Sequence, residues 1–249
     1  GDMDLSQFFR QCPKAALGFS GGVDSAYLLY AAVENGAQVQ PYFVKTAFQP
    51  QFELEDARRL CAQLGVELSV LELDILNVPQ VAENPADRCY FCKKALFGRL
   101  KEQAQQDGYR VLMDGTNASD DAGDRPGMRA LGELSVRSPL RECGITKAQV
   151  RALSKKAGLF TWDKPAYACL ATRIPTGEKI RAEVLHQVEQ AEAALSGMGY
   201  SDFRVRVFHG AARLQLPGGQ LSKAVEQREA VREALAPWFE TVLLDLKAR

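Results

Sequence analysis

The chain has 249 residues, with 31 lysines and arginines against 31 aspartates and glutamates. This length supports a sizeable core in one large domain or two modest ones, and the balanced charge argues against a nucleic-acid groove. No apolar run is long enough to span a membrane and no secretory signal is read, so a cytoplasmic protein is expected, whose six cysteines serve as thiols or ligands rather than disulfides.

Residues 15–19 are an apolar run and predict the first strand. A helix follows over 25–35 and stops at Gly36. A second strand is expected at 39–45 and a helix at 52–64, ended by Gly65. A third strand is expected at 67–73. Residues 89–106 predict a long amphipathic helix, and 110–113 a short strand running into Asp114-Gly115-Thr116-Asn117. Strand–helix alternation with short connections implies an α/β fold, a parallel sheet with helices on both faces. Residues 125–137 read as a functional loop or a loop with a short helix. A helix over 146–157 is opened by Thr146 and closed by Gly158.

An irregular stretch, 160–179, contains Pro165, Pro175 and Gly177. Beyond it come a helix (182–198), two strands (203–208 and 212–216), a helix (222–234) and a strand (241–246). That order suggests a small α+β unit built on an antiparallel hairpin. The expected division is therefore 1–179 and 180–249.

Between the first strand and first helix lies Ser20-Gly21-Gly22-Val23-Asp24-Ser25. Glycines without Cβ atoms let the backbone approach an anion, and the unpaired N–H groups of a first helical turn point at it. Ser20 and Ser25 add hydroxyl donors. The spacing fits neither the Walker loop nor the dinucleotide fingerprint. Ligands of parallel sheets sit beyond the carboxyl ends of the strands. Ser20 to Ser25 and the group Gly115, Thr116 and Asn117 both fall at that edge, which places them in one nucleotide cleft. The run resembles the PP-loop of the ATP pyrophosphatase superfamily, which has a Rossmann-like, HUP-type fold and splits ATP between its α and β phosphates.

Cys89 and Cys92 form a C-x-x-C at a helix start, and Cys169 lies far downstream. Three chemistries compete. A structural zinc site wants four ligands, and no second C-x-x-C or histidine pair is present. A redox dithiol lacks its usual context. A [4Fe–4S] cluster on Cys89, Cys92 and Cys169 would leave one iron open, where four cysteines are usual. Simple packing on a helix is the fourth possibility for the C-x-x-C pair. Cys12, Cys61 and Cys143 have no partner pattern and are assigned to packing or surface. Cys169 sits in a proline-flanked segment near Lys164 and Arg173, and cationic neighbours favour a nucleophilic thiolate.

Taken together, Ser20 to Ser25, Arg88-Cys89-Tyr90-Phe91-Cys92-Lys93, Asp114 to Asp121 with Arg125-Pro126-Gly127, and Trp162-Asp163-Lys164-Pro165 followed by Cys169 to Arg173 resemble the LarE family of PP-loop sulfur transferases. The resemblance spans nearly the whole chain. It implies ATP-dependent adenylylation of the carboxylates of pyridinium-3,5-biscarboxylic acid mononucleotide and their conversion to thiocarboxylates for the nickel-pincer nucleotide cofactor. It also implies a homo-oligomer and a downstream nickel-insertion protein as partners. Sulfur has two sources in that family. One is a sacrificial cysteine placed like Cys169. The other is a [4Fe–4S] cluster held by three cysteines, the form that Cys89 and Cys92 favour here.

Mg²⁺ would bridge the ATP phosphates and needs one or two carboxylates. Asp24 is the leading ligand, with Asp121 second; Asp24 also suits a helix N-terminus. Arg204 and Arg206 alternate onto one face of the strand 203–208. Such a pair suits a phosphate clamp, the role the resemblance gives it, with Arg173 as a further substrate-binding residue. Two other functions remain. A PP-loop tRNA thiolase or amidotransferase would want basic patches, zinc-finger cysteine pairs or a glutaminase domain. A nucleotide-sensing module would bind without releasing pyrophosphate.

Overall fold

The computed structural model describes residues 3–119 and 125–249. In chain order the elements are α1 (Leu5–Gln11), β1 (Lys14–Gly18), α2 (Val23–Glu34), β2 (Gln38–Lys45), α3 (Gln51–Leu64), β3 (Ser69–Glu72), α4 (Pro79–Ala82), α5 (Arg88–Gln106), β4 (Leu112–Met113), α6 (Arg125–Glu133), α7 (Pro139–Glu142), α8 (Lys147–Lys156), α9 (Ala182–Gly197), β5 (Arg204–Phe208), β6 (Ala211–Gln215), α10 (Gly218–Glu226), α11 (Arg228–Leu235) and β7 (Val242–Leu244). Short 3-10 turns occupy Ile75–Asn77, Phe160–Asp163 and Leu170–Arg173. Among the described residues, no helix is long and apolar enough to cross a membrane.

The chain divides into two compact units. The first is Gly1–Ile75 with Asp87–Tyr167, and the second is Leu76–Ala86 with Ala168–Arg249. The division expected at residue 179 therefore falls earlier, and a short upstream segment joins the second unit. Hydrogen bonds explain this. The Asn84 side chain donates to the carbonyls of Ile174 and Pro175. Gly177 N–H donates to Asn84 O, and Ile180 N–H donates to Ala82 O. The irregular segment thus satisfies its backbone against residues 82–84, as buried polar groups must.

The first unit is an α/β layer. Its four strands are parallel in the order β3-β2-β1-β4. Central strand β1 is apolar because helices cover both its faces. Successive side chains point to opposite sides. Leu17 packs with Leu28, Leu29 and Leu60 of α2 and α3, and Ala16 packs with Leu100 and Ala104 of α5. Capping boxes begin α1 (Asp4 with Gln7) and α8 (Thr146 with Gln149). Of the two readings of 125–137, a loop or a loop with a short helix, the structure has the second, with α6 as the helix. Pro126 and Gly127 fall in its first turn, where a missing N–H does no harm.

The second unit carries a three-stranded sheet, order β5-β6-β7, with β5 antiparallel and β7 parallel to β6. Its hairpin turns at His209-Gly210, both with positive φ, as the tightest hairpin turns require.

Candidate active site

Strand β1 ends at Gly18, and the chain turns through Ser20, Gly21 and Gly22 into α2. Gly22 is the extended N-cap of α2, with no side-chain cap hydrogen bond. The first-turn N–H groups are therefore not claimed by a capping side chain, the arrangement that suits an anion. Gly21 has φ +77°, and a Cβ there would lie 3.0 Å from Glu53 O and 3.1 Å from Ala57 N. Both conformation and space demand glycine. Gly21→Ala is expected to cost about 1–2 kcal/mol, or roughly 2–8 °C in Tm. Because the strain falls in the loop itself, ATP affinity should fall further than a global loss predicts; calorimetry and nucleotide titration on one preparation check both.

The loop is braced internally. The Ser20 and Ser25 hydroxyls lie 3.1 Å apart, and Gly22 N–H donates to Ser20 Oγ at 3.3 Å. Ser25 is buried, which makes it a brace of the loop.

The second cluster follows β4, the neighbour of β1, and so comes to the same sheet edge. A Cβ on Gly115 would lie 2.9 Å from Ser25 N, so the two clusters meet backbone to backbone. Asn117 Nδ2 donates to Asp24 Oδ1 at 3.1 Å. Asp114 accepts from Thr116 Oγ1 at 2.7 Å and from Ser138 Oγ at 2.6 Å, which fixes the cluster's shape. Asp121 lies outside the described residues.

Sequence alone assigns Lys147 no role and reads Lys164 as a cationic neighbour of Cys169; both lysines face this loop. Lys147, the first residue of α8, pairs through its ammonium with Asp24 Oδ2. An ammonium thus already stands where a metal ion at that carboxylate would, and the carboxylate's chemistry fits Mg²⁺. Lys164 donates to Gly21 O at 3.1 Å and pairs with Asp56 at 2.8 Å and Glu53 at 3.3 Å. Burial pushes the Glu53 carboxyl up, against the pull of Lys164. Among the described residues, Glu53 Oε1 has no hydrogen-bond partner. The Asp163-Lys164-Pro165 run was the signal available for Lys164; Lys147 had none beyond its place after Thr146.

None of the six cysteines is in a disulfide. Burial pushes the Cys61 thiol up to about 12, and raises those of Cys12 and Cys143. Those three suit packing. Cys89 and Cys92 are half-buried on the first turn of α5, three residues apart, hence on one face. Cys169 is half-buried in the second unit, immediately before the turn Leu170–Arg173. The donor set, three accessible thiols, fits an iron–sulfur cluster in kind. Among the described residues, no three cysteine, histidine or acidic side chains are grouped as a metal site.

The second unit holds a cavity of about 550 Å³, lined by residues that include Thr172, Glu178, Arg206, His209, Arg213 and Gln215. Arg206 donates to Gln215 Oε1 at 2.9 Å and to Thr172 O at 2.7 Å. Burial, then the positive charges of Arg173, Arg249 and Arg213, hold it below its ordinary pKa. Arg213 stands directly opposite Arg206 across the β5–β6 ladder. Like charges so placed are unfavourable unless offset, and Asp245 lies 3.7 Å from Arg213. Arg204 is buried and donates to Phe203 O at 2.8 Å. The pair facing the cavity is therefore Arg206 with Arg213, where alternation along β5 had paired Arg206 with Arg204. The Arg173 side chain, expected to bind substrate, belongs to the lining of this cavity but has no exposed surface and pairs with Glu192.

The family model described as "Queuosine biosynthesis protein QueC" matches residues 14–84, which hold the strand, the glycine loop and α2. An uncharacterized protein of Synechocystis is 39% identical over 90% of this chain and 84% of its own length. Pyridinium-3,5-bisthiocarboxylic acid mononucleotide synthase of Lactiplantibacillus plantarum is 30% identical over 95% of this chain and 87% of its own. An uncharacterized protein of Methanocaldococcus jannaschii is 28% identical, covering 98% and 93%.

Proposed function

The chain belongs to the LarE family of PP-loop proteins, and on that premise we propose that it is an ATP-dependent sulfur transferase acting on pyridinium-3,5-biscarboxylic acid mononucleotide. A substrate carboxylate oxygen attacks the α phosphorus of ATP, and the bond to the β phosphate breaks, releasing pyrophosphate. A sulfur nucleophile then attacks the acyl carbon, AMP departs, and a thiocarboxylate remains. The observation that carries this reading is the bond from Asn117 to Asp24. It joins one of the motifs that carry the family resemblance to the nucleotide loop.

Each residue has a task in this reading. The N–H groups of α2's first turn hold the nucleotide phosphates. Asp24 would hold Mg²⁺, which would supply neutralisation of phosphate charge. Lys147, paired with Asp24, places a positive charge beside the nucleotide loop. Cys169 delivers sulfur. Cys89, Cys92 and Cys169 would hold the [4Fe–4S] cluster, which supplies a renewable sulfide when bound. The homo-oligomer and the nickel-insertion partner belong to the same proposal.

The test is an anaerobic incubation with ATP and the biscarboxylate nucleotide. Pyrophosphate release that depends on the nucleotide, together with thiocarboxylate detected by mass, is expected. Pyrophosphate release indifferent to that nucleotide would overturn the substrate assignment.

Arg206 binds the substrate phosphate in this reading. Arg206→Ala removes a charge-assisted hydrogen bond of about 1.5–3 kcal/mol. The substrate KM should rise roughly tenfold or more, with ATP binding unchanged. A defect in ATP binding with normal substrate KM would reassign the residue.

A further inference from the structure

Arg173 is the largest fully buried side chain of the chain's described residues. A buried guanidinium must be paired, and Glu192 of α9 does this. Arg173 Nε and Nη2 donate to its two carboxylate oxygens at 2.7 and 3.2 Å. If neutralisation were the whole purpose, apolar residues would fill the same space as well or better. The remaining arm shows another use. Nη1 donates to Ala168 O at 3.2 Å, to Cys169 O at 3.4 Å and to Thr172 Oγ1 at 2.7 Å. Thr172 in turn donates to Cys169 O from its hydroxyl at 2.8 Å and from its backbone N–H at 3.0 Å. The Cys169 carbonyl is thus gripped by Thr172 and Arg173 together.

The same network reaches β5, the strand that carries Arg206. Glu192 Oε2 also accepts from Val205 N–H of β5 at 2.9 Å. Arg206, one residue further along that strand, donates to Thr172 O at 2.7 Å. Two routes therefore tie the Cys169 turn to β5: one through Arg173 and Glu192, the other through Thr172 and Arg206.

We propose that the buried Arg173–Glu192 pair is a positioning device that fixes the thiol of Cys169 relative to the cavity carrying Arg206, so that sulfur meets a substrate anchored there. This rests on the reading of Cys169 as the sulfur-delivering residue. Arg173 acts through the turn and touches no reacting atom. Lysine in its place keeps the charge but, as a compact ammonium, cannot span Glu192 and the turn carbonyls together.

The experiment uses full-length Arg173→Lys and Glu192→Gln, with Thr172→Val as a milder variant that keeps the ion pair and loses one link. Two quantities are followed in each. One is the alkylation rate of Cys169 by iodoacetamide, measured at its own peptide against Cys89 in the same sample. The other is first-turnover thiocarboxylate formation against first-turnover pyrophosphate release. In the first two variants, Cys169 alkylation should rise at least threefold relative to Cys89, pyrophosphate release should hold within twofold, and thiocarboxylate formation should fall at least tenfold. Thr172→Val should move both quantities in the same directions by less. Unchanged Cys169 alkylation, or unchanged thiocarboxylate formation, in all three folded variants would overturn the positioning role. Cys169→Ala on its own tests the parent reading: sulfur transfer surviving in that variant overturns the role of Cys169 whatever Arg173 does.

Discussion

Asp24→Asn is expected to abolish substrate-dependent pyrophosphate release, by about 10²–10³-fold or more, in a protein that remains folded. The carboxylate is the negative group at the nucleotide loop that meets both Asn117 and Lys147. Asparagine keeps the shape and an acceptor for Asn117, so the loop geometry should survive. It loses the charge, and with it the attraction for Mg²⁺. The pair with Lys147 is about one-third exposed on the lysine side, so its loss should lower stability little. Lys147→Met separates the two roles. It removes the ammonium and keeps the Asp24 carboxyl group in place, so Mg²⁺ binding should persist while the KM for ATP rises. Pyrophosphate release at the wild-type rate in Asp24→Asn would remove Asp24 from the metal role. A Lys147→Met protein with wild-type ATP kinetics would leave Lys147 as a helix-end ion pair.

The nucleotide site was legible because its physics is local. Two glycines, a strand before them and a helix after them are adjacent in sequence, and Asp114 to Asn117 follow the neighbouring strand. Parallel order then brings both to one edge. Lys147 was not legible, since its contact with Asp24 spans 123 positions and depends on how α8 packs on α2. Arg213 was missed for a related reason. Alternation along β5 says which residues share a face, but not which are opposite on β6. The turn at His209-Gly210 would have set the register, and with it Arg206 against Arg213. The single helix read over 222–234 is broken at Gln227 into α10 and α11. In the irregular stretch 160–179 the sequence carries no sign of anchoring, because the hydrogen-bond partners, Ala82 and Asn84, lie some ninety residues earlier. Polar, proline-rich sequence marks irregular backbone without saying whether that backbone is anchored.

Cys92→Ala is expected to reduce the protein from many sulfurs per chain to one or fewer. Of six thiols, burial raises the pKa of Cys12, Cys61 and Cys143 and so disfavours them as thiolate ligands. Cys89, Cys92 and Cys169 are the half-buried remainder in which a ligand role is read. Cys89 and Cys92 stand on one face at the start of α5, where a helix N-terminus favours thiolates. Losing one of three cluster ligands should strip iron and acid-labile sulfide from the anaerobically reconstituted protein. Both quantities, measured per chain beside thiocarboxylate yield, give the test. Mutation of Cys169 cannot discriminate, since both sulfur sources use it. A Cys92→Ala protein with full multiple-turnover yield would overturn the three-cysteine cluster. A wild-type protein that stops after one sulfur, with position 169 having lost H₂S to become dehydroalanine, would make the Cys169 thiol itself the donor. In that case its Cβ–S bond breaks as the Cα proton leaves, and the sulfur departs on the substrate.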